Sequence, residues 1–177
     1  MTYTQHYDSP LGGILLAADD VGLTGLWFDG QKYFARGLSN ERIEQETFVL
    51  AEAKRWLDIY FTGKEPDFTP PLHPIGSAFR RSVWEILLQI PYGQTTTYGE
   101  IARQLAKKQG LDRMSAQAVG GAVGHNEISI IIPCHRVVGA DGSLTGYAGG
   151  IGKKEKLLEL ERADMSRFFV PKKGTAL

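Results

Sequence analysis

The chain has 177 residues, of which 42% are hydrophobic and 23% charged, a length that fits one ordinary domain or two small ones. Its single cysteine, Cys134, excludes an internal disulfide framework and a zinc site built from several cysteines. The first residues carry no basic stretch followed by an apolar one, and no apolar run approaches the roughly 18 residues of a membrane span. We therefore expect a cytoplasmic protein with no signal peptide and no membrane partner.

Equal numbers of basic and acidic residues, 20 of each, conceal an uneven distribution of charge. Residues 1–75 carry 6 Lys and Arg against 11 Asp and Glu, whereas residues 76–177 carry 14 against 9. The change falls in the proline-rich stretch 66–74, which opposes a helix. We predict an N-terminal support domain over 1–75 and a C-terminal domain over 76–177, which would bind any polyanion such as nucleic acid. Two differently charged solvated faces are the alternative.

The first half predicts strands followed by one helix. Short stretches rich in large apolar and β-branched residues predict strands over 3–7, 13–17 and 23–28, joined by turn residues as antiparallel hairpins. From Ser39-Asn40, which suit a helix N-cap, the pattern changes, and apolar residues recur at helical spacing until Gly63 can end the helix. This half shows no convergent polar chemistry.

The second half predicts three short helices with tight connections. The first has an apolar face over 79–88 and ends before Pro91. The second begins with a capping box, in which Thr97 precedes a glutamate by three positions, and extends through Leu105. The third starts near Ser115. Three such helices in the basic half indicate a helix-turn-helix, although many small helical domains share this pattern.

The third helix is unusually poor in bulky side chains. Gly120 and Gly121 each cost about 1 kcal/mol relative to alanine inside a helix, and their neighbours are also small. Such a surface allows a nucleic-acid backbone or groove edge to come very close, and close helix–helix packing is the alternative. The absence of Arg and Lys argues against reading of bases in the major groove.

The best candidate for chemistry follows an isoleucine run. Ile130–Ile132 predict a buried strand that Pro133 ends, which places Cys134 in a turn at the strand end. A lone buried cysteine is usually inert, but a nucleophilic one needs a nearby base, and His135 adjoins it. Because adjacent side chains on a strand diverge, a water molecule would bridge them. Arg136 either adds local positive charge or forms a structural ion pair.

A carboxylate partner for His135 is expected on the last helix, predicted over 153–162. Glu161 lies four and three positions after Leu157 and Leu158, and therefore on their apolar face. A carboxylate on a buried face needs a partner, which makes His135 the natural candidate; a partly exposed glutamate at the helix end is the alternative. The glycine-rich loop 145–150 suits a pocket wall for a flat ring, or is simply flexible.

The stretch Pro133-Cys134-His135-Arg136-Val137-Val138 resembles the signature of the 6-O-alkylguanine-DNA alkyltransferases, which are direct-reversal DNA repair proteins. The similarity extends across the second half through five further features: Tyr98 opening a helix, the small residues 118–122, Asn126, the loop 147–150 and Glu161. The first half matches in size and in its strands-then-helix layout. The resemblance implies an α+β fold, with a ribonuclease-H-like N-terminal domain followed by a mainly helical, winged-helix-like DNA-binding domain.

The resemblance also implies a mechanism. Glu161 would orient His135, which acts through a water molecule to deprotonate Cys134. The thiolate would take the alkyl group from the 6-oxygen of guanine in duplex DNA, in a single irreversible turnover, with the 4-oxygen of thymine left open as a second substrate. Tyr98 would donate to the ring nitrogen of the leaving guanine, and Asn126 would brace the turn before the cysteine. Neither a metal nor an organic cofactor is implied, and we expect a monomer.

A further set of residues is implied to contact the DNA or the flipped base. They are Gln117, Ala118, Gly120, Gly121, Arg136, Val137, Tyr147, Ala148 and Gly149. Two positions depart from the family pattern: Gln117 stands where an arginine is frequent, and Glu127 follows Asn126 where proline is common.

Two other classes of protein are consistent with parts of the pattern. A helix-turn-helix protein could recognise lesions or a DNA sequence without covalent repair, with Cys134 as a redox sensor. A cysteine hydrolase built on Cys134, His135 and Glu161 would instead turn over a small ester or amide repeatedly.

Overall fold

The computed structural model describes residues 1–171 and belongs to the α+β class. Residues 172–177, at the end of the predicted C-terminal domain, lie outside the described range. The chain divides into two compact units. The first consists of Met1–Ile75 together with Glu127–Ile131, and the second of Gly76–Asn126 together with the chain from Ile132 onward. The first unit therefore includes a segment distant in sequence, which no pattern in the sequence assigned to it.

The first unit is built on a four-stranded sheet. Its strands are β1 (Thr2–Ser9), β2 (Gly12–Ala18), β3 (Leu23–Phe28) and β4 (Arg42–Glu44), arranged in the order β3-β2-β1-β4. β1, β2 and β3 are antiparallel, as predicted, whereas β4 lies parallel to β1. The prediction missed β4 because all its side chains are exposed, so no alternation of apolar and polar residues marks it.

Helix α1 (Phe48–Tyr60) covers this sheet. Its N-cap is Thr47, whose hydroxyl accepts a hydrogen bond from the Leu50 amide at 3.2 Å. The prediction that the helix begins after Ser39-Asn40 is wrong, because those residues precede β4. The Ser39 hydroxyl instead accepts the Glu41 amide at 3.1 Å, which is a local turn rather than a cap.

Both faces of the central strands are buried, which explains their continuous apolar sequence. Leu15 and Ala17 of β2 share one face with Trp27 of β3, and the half-buried Ala35 and Leu38 pack against them. The alternation of side chains along a strand places the neighbouring positions, including the buried Leu16, on the face towards α1.

The second unit begins with three packed helices, α2 (Ala78–Leu87), α3 (Tyr98–Gln109) and α4 (Ala116–Gly124). The predicted cap at Thr97 is confirmed, since its hydroxyl accepts the Glu100 amide at 3.1 Å. The third helix starts next to Ser115 as predicted, and the Ser115 hydroxyl caps it by accepting the Ala118 amide at 3.1 Å. α3 runs four residues beyond the predicted Leu105, and Gly110 ends it with φ +69°.

The rest of the second unit carries short pairing strands and a last helix. β5 (Thr96–Thr97) pairs in parallel with β6 (Val137–Val138), and α5 (Ile151–Leu160) follows the glycine-rich loop. The predicted strand over Ile130–Ile132 is wrong: these residues form a turn in which Ile130 has φ +69°. All three isoleucines are nevertheless buried, because an apolar run indicates burial and does not decide backbone conformation.

The start of α1 can be tested directly. Thr47→Ala removes the hydroxyl that accepts the Leu50 amide, so we expect the free energy of unfolding to fall by about 1 kcal/mol. Asn40→Ala, at the position where the sequence suggested a cap, is the matched control and should change stability by less than about 0.5 kcal/mol. Urea unfolding followed by circular dichroism measures both, and equal losses would contradict the observed helix start.

Candidate active site

Cys134 opens a short 3₁₀ turn, Cys134–Arg136, directly after Pro133. The turn is closed by the Arg136 amide donating to the Pro133 carbonyl at 3.0 Å. With about three residues per turn, successive side chains point roughly 120° apart, so the Cys134 and His135 side chains diverge as the sequence suggested. Their proton exchange therefore requires a bridging group such as water.

Burial of Cys134 raises the pKa of its thiol above the ordinary value. Two neighbours oppose this effect: the Asn126 side chain hydrogen-bonds the thiol, and the positive charge of Lys154 favours the thiolate. Asn126 Nδ2 also donates to the Ile132 carbonyl at 2.8 Å, which closes the chain between α4 and the 3₁₀ turn into a loop. The resting cysteine is thus a protonated thiol that needs a base.

His135 has the properties of that base. Its ring is fully buried, and Nε2 lies 2.6 Å from Glu161 Oε2, whereas Nδ1 has no hydrogen-bond partner within residues 1–171. Burial lowers the pKa of His135, and the charges of Arg136 and Lys154 add to this effect, while Glu161 opposes it. The neutral imidazole that results donates its Nε2 proton to Glu161, which leaves the lone pair on Nδ1.

Glu161 is the most heavily bonded carboxylate of the site. It is the C-cap of α5 and only 2% exposed. In addition to His135, it accepts hydrogen bonds from Arg136 Nε at 2.8 Å and Nη2 at 3.1 Å and from the Gly93 amide at 3.1 Å. Burial alone would raise the pKa of Glu161, but the bonds and charges of His135 and Arg136 hold it well below its usual range. The exposed alternative is excluded.

Arg136 forms a structural ion pair. The residue is 8% exposed, and its remaining donor, Nη1, bonds the Ile90 carbonyl at 2.7 Å. Each of the three guanidinium nitrogens has an acceptor in the protein interior, and the predicted contact of Arg136 with DNA stays a prediction.

Tyr98 is the first residue of α3, as the sequence suggested, and its hydroxyl donates to the Thr145 carbonyl at 3.2 Å. Burial raises the pKa of Tyr98, and negative charge on Cys134 raises it further. Tyr98 therefore remains a protonated phenol, able to donate a hydrogen bond, at neutral pH.

The glycine-rich loop lies against the same histidine. The buried Tyr147 ring meets the His135 ring edge to face, with centroids 6.5 Å apart, and Ala148 and Gly149 are half-buried in the following turn. Val137, another residue expected at the pocket, is fully buried in β6, and its amide already donates to the Cys134 carbonyl. Tyr147 and Val137 thus contact His135 and Cys134 respectively, and their role toward a flipped base stays a prediction.

Helix α4 has two different faces. Val119, Ala122 and Val123 are buried, and the Ala122 carbonyl accepts the indole N–H of Trp84 at 2.9 Å. The face that remains exposed carries only small side chains and one amide: Gln117, Ala118 and Gly121, with Gly120 half-buried. A Cβ added at Gly121 would meet nothing within 4 Å, so packing inside the protein does not require this glycine.

Sequence reasoning missed Lys154. This lysine is fully buried, and Nζ donates at 2.6 Å to the same Thr145 carbonyl that accepts the Tyr98 hydroxyl. Burial lowers the pKa of Lys154 to about 8, against the attraction of Cys134. A signal was present in the sequence, since Lys154 precedes Leu157 and Leu158 by three and four positions and so shares their buried face.

Two family models match the chain. Residues 2–74 match the ribonuclease-like domain of 6-O-methylguanine DNA methyltransferase, and residues 78–163 match its DNA binding domain. The chain belongs to the 6-O-methylguanine DNA methyltransferase family. Curated relatives named methylated-DNA–protein-cysteine methyltransferase include one from Methanosarcina acetivorans, 45% identical over 90% of this chain and 97% of the relative, and one from Mycobacterium leprae, 43% identical over 92% and 93%.

Solved structures of this methyltransferase family share the fold. Mycobacterium tuberculosis OGT in complex with DNA is 42% identical, with a TM-score of 0.77 over 94% of each chain. The O6-methylguanine methyltransferase of the same organism is 41% identical, with a TM-score of 0.76 over 98% of this chain and 97% of that one. The predicted family, fold class and enzyme class, a methyltransferase of direct-reversal DNA repair, are confirmed.

Within residues 1–171 of this methyltransferase, no helix has the length and apolar character needed to cross a membrane. The same part of the chain contains no group of three or more His, Cys, Asp or Glu side chains arranged to hold a metal ion.

The ion-pair network of the methyltransferase predicts a large effect at Glu161. Glu161→Ala leaves the buried Arg136 guanidinium without its carboxylate, so we expect the free energy of unfolding to fall by about 3–5 kcal/mol. Glu159→Ala, an exposed change on the same helix, should alter it by less than about 0.5 kcal/mol. Chemical denaturation of both variants measures the difference, and a small loss at Glu161 would show that the network contributes little.

The charge of Lys154 predicts a pH effect on Cys134. In Lys154→Met the positive charge that favours the thiolate is absent, so alkylation of Cys134 by iodoacetamide should shift to higher pH. Because the pKa of Lys154 is about 8, wild type loses the same charge above that pH, and the two rates should converge there. Lys156→Met, exposed on the same helix, is the control. Coincident pH profiles for wild type and Lys154→Met would contradict the effect of the Lys154 charge on Cys134.

Proposed function

We propose that this methyltransferase repairs double-stranded DNA containing alkylated guanine by moving the alkyl group from the 6-oxygen to its own Cys134. The observation that carries the proposal is the buried His135–Glu161 pair, whose histidine follows Cys134 directly in the 3₁₀ turn. The thiol is protonated, the imidazole is neutral with its Nδ1 lone pair available, and Glu161 holds Nε2 at 2.6 Å. This order of groups removes a proton from sulfur without permanent charge on the base.

The proposed reaction begins with proton transfer. The Cys134 proton passes through a water molecule to His135 Nδ1, and the imidazolium that forms is stabilised by Glu161. The thiolate then attacks the alkyl carbon, so that a carbon–sulfur bond forms as the bond from carbon to the guanine 6-oxygen breaks. The electron pair goes to the guanine ring, and Tyr98 donates a hydrogen bond to the ring nitrogen where negative charge develops.

The product explains why each molecule acts once. The carbon–sulfur bond of the thioether on Cys134 has no good leaving group, so the alkyl group stays on the protein. The displacement needs neither electron transfer nor an activated co-substrate, and we propose no cofactor. In this respect the site differs from a cysteine hydrolase, whose acyl intermediate is released by water.

We propose that the exposed face of α4 enters the minor groove of DNA. The small residues Ala118 and Gly121 let the sugar–phosphate edges approach the helix closely, and Gln117 occupies the space of the flipped nucleotide. The rotated guanine would lie against Tyr147, with the backbone of Ala148 and Gly149 beside its edge. We further propose that the protein acts as a monomer in the cytoplasm.

A single experiment tests the proposal against its alternatives. The protein is mixed with a duplex that contains one 6-O-methylguanine, and intact mass and peptide mapping follow. We expect the gain of one methyl group on the Cys134 peptide, saturating at one equivalent, with none in Cys134→Ala and none from an unmodified duplex. Tyr98→Phe should slow the gain without changing its end point, because only the hydrogen bond to the leaving guanine is lost.

Each other outcome has a definite meaning. Unmodified protein that still binds the lesion duplex would support a lesion-binding or redox-regulatory role, with Gln117 and Glu127 as the first positions to examine. Repeated hydrolysis of a small ester without modification of Cys134 would support a hydrolase. Either result would overturn single-use alkyl transfer.

A further inference from the structure

The segment Glu127–Ile131 joins helix α4 to the active-site turn, yet it belongs to the first compact unit. Its backbone continues the edge of β3: the Leu26 amide donates to the Glu127 carbonyl at 2.8 Å, and the Ser129 amide donates to the Leu26 carbonyl at 3.1 Å. Ile128 and Ser129 are buried there. The chain that leads to the cysteine is therefore held by a strand of the support domain.

A side-chain contact adds to this attachment. The indole Nε1 of Trp27, on β3, donates to Glu127 Oε2 at 2.5 Å. Trp27 is only 1% exposed and packs with Leu15 and Ala17 inside the first unit, so its ring cannot follow a moving segment. A hydrogen bond to a charged acceptor from a donor fixed in this way restricts Glu127 strongly.

The restriction of Glu127 reaches the reactive group through the covalent chain. Asn126 immediately precedes Glu127 and bonds both the Ile132 carbonyl and the Cys134 thiol. Within the loop that this bond closes, Ile130 adopts φ +69°, a conformation that β-branched residues rarely take and that the surrounding contacts must hold. Displacement of Glu127 would therefore move Asn126 and relax the loop that presents Cys134.

We infer that Trp27 is a positioning residue for alkyl transfer: its indole fixes Glu127 and thereby the Asn126–Cys134 loop in its reactive geometry. This inference rests on the proposed function, because its consequence is a rate of transfer to Cys134. The inference gives the first unit a defined role in the reaction, which it performs through the hydrogen bond from the Trp27 indole to the Glu127 carboxylate.

The test is a double-mutant cycle on single-turnover transfer from a duplex with one 6-O-methylguanine. Trp27→Phe keeps a ring but removes the N–H, and Glu127→Ala removes the acceptor. We expect each to lower the rate constant at saturating duplex about tenfold, as small misplacements of reacting groups do, with little change in the apparent Kd. The double variant should be no slower than either single variant, because both remove the same bond.

Matched variants separate positioning from general stability. Glu127→Gln keeps an oxygen acceptor and should restore most of the rate. Trp56→Phe changes another buried indole of the first unit, one that lies on α1 and stacks on Tyr60, and it should leave the rate unchanged. Should Trp27→Phe fail to fold, the comparison of Glu127→Ala with Glu127→Gln decides alone.

Failure of this inference is distinct from failure of the proposed function. If wild-type protein transfers the methyl group but the Trp27 and Glu127 variants keep the wild-type rate, or if their effects simply multiply, the positioning role is overturned. If wild-type protein itself transfers nothing, the proposed function is overturned, whatever the variants do.

Discussion

The second unit depends on one buried carboxylate. Glu161 lies at the C-terminal end of α5, where the helix dipole disfavours an anion, and it is almost fully removed from water. Such a charge is tolerated only when donors surround it, and those donors come from three places: the Gly93 amide, the Arg136 guanidinium and the His135 ring. Satisfying this one group therefore fixes the last helix, the 3₁₀ turn and the chain before β5 to one another.

The burial that makes Glu161 need several donors also determines the protonation states of Cys134 and His135. Low polarity favours neutral forms, so both the Cys134 thiol and the His135 imidazole rest uncharged. In the proposed reaction, proton transfer between them would create a thiolate and an imidazolium. Lys154 would favour the thiolate, and Glu161 would bond the imidazolium. These two buried charges would thus stabilise the ionised pair on which the proposed attack depends.

Some features of this structure follow from short-range sequence patterns, whereas others depend on tertiary contacts. The hydroxyl cap at Thr97, the start of the third helix near Ser115 and the three hairpin strands follow from short-range patterns and were predicted. Three other features were not predicted because contacts distant in sequence decide them: the start of α1, the exposed strand β4 and the turn at Ile130. At the site, Cys134, His135 and Glu161 were predicted together. The ion pair of Arg136 was one of two alternatives, and the buried position of Lys154 was missed, because charged residues are normally assigned to the surface.

The position of Glu127 shows how one departure from the family pattern is accommodated. Where proline commonly follows the asparagine, the ring would restrict the backbone by itself. A glutamate leaves the backbone free and adds a flexible side chain, so the same restriction must come from contacts. Those contacts come from β3, through the Leu26 backbone and the Trp27 indole. Covalent rigidity is thereby replaced by tertiary hydrogen bonds, and under the positioning role proposed above the geometry of the turn that presents Cys134 would depend on the bonds that β3 makes to Glu127 and Ser129.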